Sequence, residues 1–247
     1  MKQSGAPTRL ADVVLDLASE VVFALRSGDH PPVCGPDGIR DDQIRLAAVR
    51  VLGADVLLPG TLHRQPPPAS DVAALRQAVD AFPPSPDAAD TTLWSHWGMA
   101  DALRRLAAHP SGPPPDDAGL AILQPSDADT GVDTELSTEW LRQAPWQQLT
   151  HQLAVLSPLA VPGADSAVAR VARDRTVDVA RGFVRAVRRR DWLQAAGAGR
   201  WLALLDRVPD SLGLETGLDF VELMGGEDSR VALQLQAARM LADEGVR

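Results

Sequence analysis

The chain has no tyrosine, one lysine (Lys2) and one cysteine (Cys34) among its 247 residues. A lone cysteine excludes an internal disulfide and any metal site built from several thiolates, and it fits a reducing compartment. Long apolar runs are also scarce. The longest uncharged apolar stretch, 153–164, is too short to span a bilayer and contains Pro158 and Pro162. Near the start, Asp12, Asp16 and Glu20 interrupt the apolar positions, which is incompatible with a signal-peptide core. These absences together predict a cytoplasmic protein with no membrane partner.

Catalytic and cofactor signatures are missing as well. The five histidines, His30, His63, His96, His109 and His151, are scattered, with none in HExxH, HxH or HxxxH spacing. Asp29, His30 and Cys34 form only a loose group in a proline-rich turn. The acids Asp127, Asp129, Asp133 and Glu135 lack the order and distal glutamate of a calcium loop. Gly197–Gly199 and Gly225–Gly226 have no preceding strand and no lysine, so neither reads as a phosphate loop. The first pair reads as a hinge or a close helix contact, and the second as a helix end followed by a new start. No cofactor and no metal is expected. His96 and His151 are the two histidines to examine for a buried catalytic role.

Regular strand alternation is absent too, so the chain reads as all-α, with about ten helices in an irregular bundle or array. No fixed spacing of similar residues supports a repeat solenoid. In the first half, Leu10, Val13, Val14, Leu17, Val21, Ala24 and Leu25 form the stripe of a helix capped by Thr8. A second helix over 41–57 is closed by Pro59-Gly60, a third begins at Ser70 or Asp71, and a fourth runs from Thr91 or Thr92 to His109. Between 110 and 135, prolines alternate with aspartates around a short apolar run, Leu120–Leu123, which predicts a linker or long loop. Expected organisation is an N-terminal helical half (1–112), a Pro/Asp-rich linker (113–135) and a C-terminal helical half (136–247), with the halves free to pack as one domain. In the last part, Ser137 caps a short helix and Pro145 opens the next. One long helix over 165–190 buries Val168, Val171, Ala172, Val179, Phe183 and Val187. Asp191 caps its successor, which runs to Arg207, and two further helices complete the chain.

What the chain does have is a concentration of one charge. The stretch 165–207 carries ten arginines against five aspartates, net +5 in a chain of formal charge −9. The overall acidity argues against general affinity for nucleic acids or anionic membranes, and no helix-turn-helix with a basic recognition helix is visible. Twenty-three of the 24 basic residues are arginine, a bias that also fits a GC-rich bacterial genome. Arg170, Arg181, Arg185 and Arg188 fall within one side of a helix, with Arg173 nearby and Arg189 and Arg190 extending the cluster. Guanidinium forks suit carboxylates and phosphates. The plain alternative is a solvated face laced by Asp174 and Asp178, with Arg188–Arg190 at the negative end of the helix dipole. The six tryptophans lie close to apolar stripes and read as packing residues, Trp192 being the one that flanks the arginines.

The expected function is that of a non-catalytic protein-interaction or scaffold protein with a protein partner or a second copy of itself, using Arg181, Arg185, Arg188, Arg189 and Trp192. The alternative is an enzyme or anionic-ligand binder with a pocket between C-terminal helices.

Overall fold

The computed structural model of the chain describes residues 5–28, 31–34, 43–108 and 136–245. The proline- and aspartate-rich stretch 113–135, its acidic group at 127–135, the Asp29–His30 turn and the helix start at Asp41-Asp42 lie outside the described residues. Among those described the protein is all-α, with no strand.

α1 (Gly5–Ser27) buries the expected stripe, including Leu17, Val21, Ala24 and Leu25. It starts earlier than the sequence suggests: Thr8 sits inside the first turns instead of capping them. Gly28, at φ +69°, ends the helix in the left-handed conformation, its N–H donating to Ala24 O at 3.2 Å. The next run differs from expectation in a second way. α2 (Gln43–Leu52) passes through a 3₁₀ turn (Gly53–Leu57) into α3 (Leu58–His63), so Pro59-Gly60 continues the helical path. Pro59 stands in the first turn of α3, where its missing N–H has no helical acceptor to lose. Gly53, at φ +62°, supplies the bend. By length and composition the run Gln43–His63 could cross a membrane, yet most of it is buried inside the fold.

α4 (Ala69–Ala81) and α5 (Asp90–Ala108) complete the first half; α6 (Glu139–Arg142) and α7 (Trp146–Val155) open the second. Ser137 Oγ accepts from Glu139 N at 3.3 Å, and Pro145 is the N-cap of α7. The single helix expected over 165–190 is two: α8 (Ala167–Asp174), capped by Ser166 through Ala169 N at 3.1 Å, and α9 (Thr176–Arg188). No proline or glycine marks the break. It falls at Arg175, whose guanidinium donates to Arg142 O at 3.0 Å, Ala144 O at 2.7 Å and Asp178 at 2.6 Å, fixing a backbone that leaves the helical path (φ −118°, ψ 29°).

Asp191 then caps α10 (Trp192–Leu204) through Gln194 N at 3.3 Å, and this helix stops short of Arg207. α11 (Leu214–Gly225) and α12 (Ser229–Gly245) follow.

The core forms two clusters of buried side chains that share α12. Val231, Leu235 and Ala238 face a cluster with Leu153, Val179, Phe183 and Trp201; Leu233, Ala237 and Leu241 face one with Leu17, Val21, Val49 and Met99. Spacings of three, four and eight residues put these two sets on different sides of one helix. Trp94 of α5 joins the cluster formed mainly by later helices. α10 packs closely because its glycines allow it: a Cβ on Gly197 would lie 2.9 Å from Ala154 O, and one on Gly199 would lie 2.5 Å from Leu218. Where the clusters meet, Arg200 is fully buried, donating to Asp55 at 2.8 and 3.0 Å, to Gln234 at 2.9 Å and to Ala160 O at 3.2 Å. Gln234 Nε2 in turn donates to Asp55 at 2.9 Å.

Candidate functional site

α9 has two characters. Val179, Ala180, Phe183 and Ala186 are buried, whereas Val177 and Val184 are 51% and 40% exposed on the side that carries Arg181, Arg185 and Arg188. Valines seven residues apart recur on one helix face about 10.5 Å apart along the axis, as do Arg181 and Arg188. That side borders a groove of about 590 Å³, walled by Trp146 at the start of α7 and by Pro209, Ser211 and Leu212 before α11. A second hollow, of about 860 Å³, shares Val177 and Arg181 with it and reaches Arg173, Arg175 and Arg207. Asp174, Asp178 and Asp206 line that hollow too, so a small anion there would meet three carboxylates.

Two contacts hold the walls of the groove. The Arg175 guanidinium ties the first turn of α9 to the backbone just before Trp146. Further along, Gly182 lets α9 sit directly on Thr150 of α7. Trp146 is thereby placed under Arg185, whose guanidinium carbon lies 5.5 Å from the ring centroid.

Charge is distributed unevenly along the groove. Arg181 pairs with Asp178 at 3.3 Å, which also holds Arg175. Arg185, Arg188, Arg189 and Arg190 have no ion-pair partner among the described residues. They gather at the C-terminal end of α9, where the helix dipole favours positive charge, so packing the four together costs less than it would elsewhere.

Arg181, Arg185 and Arg188 of the sequence-derived set line the groove. Arg189 caps α9 in the exposed turn beyond it. Trp192 sits apart, packed on Gly225 and against the Phe220 ring at 6.1 Å. Arg170, grouped with the others by helical spacing, belongs to α8 and pairs with Asp165 at 3.3 Å. The sequence reading missed Val177 and Val184, the apolar pair on the basic face.

The other candidates acquire structural explanations. Trp94 and Trp201 are buried, and Trp201 Nε1 donates to Leu153 O at 2.6 Å. His151 is exposed beside Gln194 at 3.3 Å. His96 is partly buried; desolvation and the Arg50 charge hold its pKa below the ordinary imidazole value, and its Nδ1 is buried without a hydrogen bond. Among the described residues no group of three His, Cys, Asp or Glu side chains could hold a metal.

Cys34 is buried behind Asp71, which accepts from Val33 N at 3.0 Å and Cys34 N at 2.8 Å. Desolvation, reinforced by the Asp71 carboxylate, pushes the thiol pKa well above its ordinary value. The folded protein is therefore expected to resist iodoacetamide at neutral pH and to be alkylated at one site once denatured, as read by mass spectrometry. Alkylation at a free-thiol rate without denaturant would contradict this packing.

Compared with known proteins, the chain matches no family model, no curated protein and no solved structure, so the functional reading rests on the geometry of the groove.

Proposed function

We propose that the protein is a non-catalytic interaction protein whose α9 groove receives an acidic, amphipathic helical segment of a partner protein. The observation that carries this reading is the pairing of an exposed valine floor, Val177 and Val184, with the guanidinium groups of Arg181, Arg185 and Arg188 along one helix side. A partner helix with apolar residues at i, i+3 or i+4 and i+7 would fill the floor, and carboxylates beside that stripe would meet the arginines. Apolar burial supplies affinity, and the one-signed rim supplies steering and selection against basic segments. Nucleic acid fits less well, because the chain as a whole is acidic. A small anion fits less well because of the three carboxylates in the adjoining hollow.

The test is a fluorescence-anisotropy titration with a synthetic acidic amphipathic peptide, beside a peptide of the same composition with its leucines dispersed around the helix. Saturable binding is expected for the first, weakening as salt is raised, and at least tenfold weaker binding for the second. The triple variant Arg181→Glu, Arg185→Glu, Arg188→Glu should lose roughly a hundredfold, from about 1 kcal/mol per reversed charge. Equal binding of both peptides, or affinity untouched by charge reversal, would sink the reading. So would stabilisation by phosphate or citrate that abolishes peptide binding at an ionic strength matched with chloride.

A further inference from the structure

A different surface carries a second inference, independent of the α9 groove. Large apolar side chains are exposed around α11: Phe220 at 45%, Leu223 at 80% and Met224 at 48%. Phe23 of α1, 62% exposed, flanks α11 on its Glu222 side. It lies on the helix side that carries Ser19 and Arg26, which reach Ser229 Oγ at 2.6 Å and Glu222 at 3.7 Å. None of the four is needed to fill the core, which α11 completes with Leu218 and Val221. We propose that this face is a two-fold interface between two copies of the chain.

Charge points to a second copy as the occupant. In a two-fold interface the same patch meets itself, so it must carry both signs or neither. Around Leu223 both signs are present: Arg239 pairs with Asp219 at 2.9 Å and Glu222 at 2.6 Å, and Arg26 adds a second cation beside Glu222. A two-fold axis through such a patch can set the acids of one copy near the bases of the other. The α9 groove is one-signed and would be repelled by its own copy, so the two surfaces are suited to different partners.

Area agrees with this assignment. The exposed parts of the four side chains amount to roughly 450 Å² of apolar surface, taking about 200 Å² for each complete side chain. A stable interface of about 800 Å² per partner is about 60% apolar, which calls for a similar quantity. Phenylalanine and methionine are also residue types that interface centres favour. A dimer so formed would present two α9 grooves, and a partner carrying two acidic segments would gain affinity from the second.

Sedimentation equilibrium of the full chain from micromolar to millimolar concentration tests the proposal, beside Leu223→Asp, Met224→Lys and Arg185→Glu. Leu223 and Met224 are exposed enough that neither substitution should disturb the fold, which circular dichroism checks. The wild type and Arg185→Glu are expected to reach twice the 26.3 kDa chain mass. Leu223→Asp and Met224→Lys should weaken association at least tenfold. A wild type that stays monomeric throughout overturns the proposal, and so does a dimer dissolved by Arg185→Glu but not by the two α11 variants.

Discussion

Replacing Asp55 with leucine is expected to cost about 3–5 kcal/mol, much of the roughly 5–15 kcal/mol that holds a domain folded. Arg200 is fully buried, and among the described residues Asp55 is the only carboxylate within ion-pair distance of it. Without Asp55 the guanidinium would keep, among the described residues, Ala160 O and Gln234 as acceptors, and its Nη2 already lacks a hydrogen bond to any of them. An uncompensated charge would then remain between the two core clusters. Replacing all three groups, as Asp55→Leu, Arg200→Met and Gln234→Leu together, should recover part of the loss, because no charge is left to desolvate. Ala160 O would still lose its donor, at a cost of about 1–3 kcal/mol. Urea denaturation of the single and triple variants reads both values. A single variant as stable as the wild type would show that Arg200 reaches water.

The second large effect is at Gly182, where the expected sign is opposite to the usual one. In an exposed helix, glycine to alanine stabilises by about 1 kcal/mol. Here the new Cβ would overlap Thr150 Oγ1, Cβ and Cγ2, all far inside van der Waals contact. Threonine is branched at Cβ, so no rotamer clears the contact, and α9 must move away from α7. Gly182→Ala should therefore lower stability by about 2–3 kcal/mol, as overpacking of this kind does. Moving the gap to the facing helix, with Thr150→Gly added, should restore part of it. The shift of α9 would also separate Arg185 from Trp146, so acidic-peptide binding should fall in Gly182→Ala even where the protein remains folded. An increase in the urea midpoint for Gly182→Ala would contradict the close seat of α9 on α7.

These two sites show which features the linear sequence displays. The all-α architecture was legible, because apolar stripes at helical spacing and caps such as Asp191 act locally. The close approach of α10 was half legible: Gly197 and Gly199 fit either a hinge or a close contact, and the choice depends on Ala154 and Leu218 from other helices. The break between α8 and α9 was not, because it depends on Arg175 reaching carbonyls some thirty residues earlier. Arg200 was equally opaque. It added to the net positive charge of 165–207 while sitting wholly inside the fold, held by Asp55 and Gln234 from distant parts of the chain. The groove was half legible: helical spacing grouped Arg181, Arg185 and Arg188. Its valine floor went unnoticed because Val177 and Val184 resemble core residues until the buried side of α9 is known to face elsewhere.

The salt dependence expected of the groove follows from the same placement. Arg185 and Arg188 are exposed, so their attraction acts through water and is screened within about 10 Å at moderate ionic strength. Contacts to the valines and Trp146 are not screened. Binding at high salt should therefore weaken without vanishing, unlike binding to a purely ionic surface.

The most direct test of the α9 groove is a backbone-amide NMR titration of the isotope-labelled protein with the acidic amphipathic peptide. The largest shifts should fall on Val177, Ala180, Arg181, Val184, Arg185, Arg188 and the Trp146 indole N–H, with Leu223 and its neighbours unchanged. Shifts centred on α11, or no shifts at saturating peptide, would contradict it.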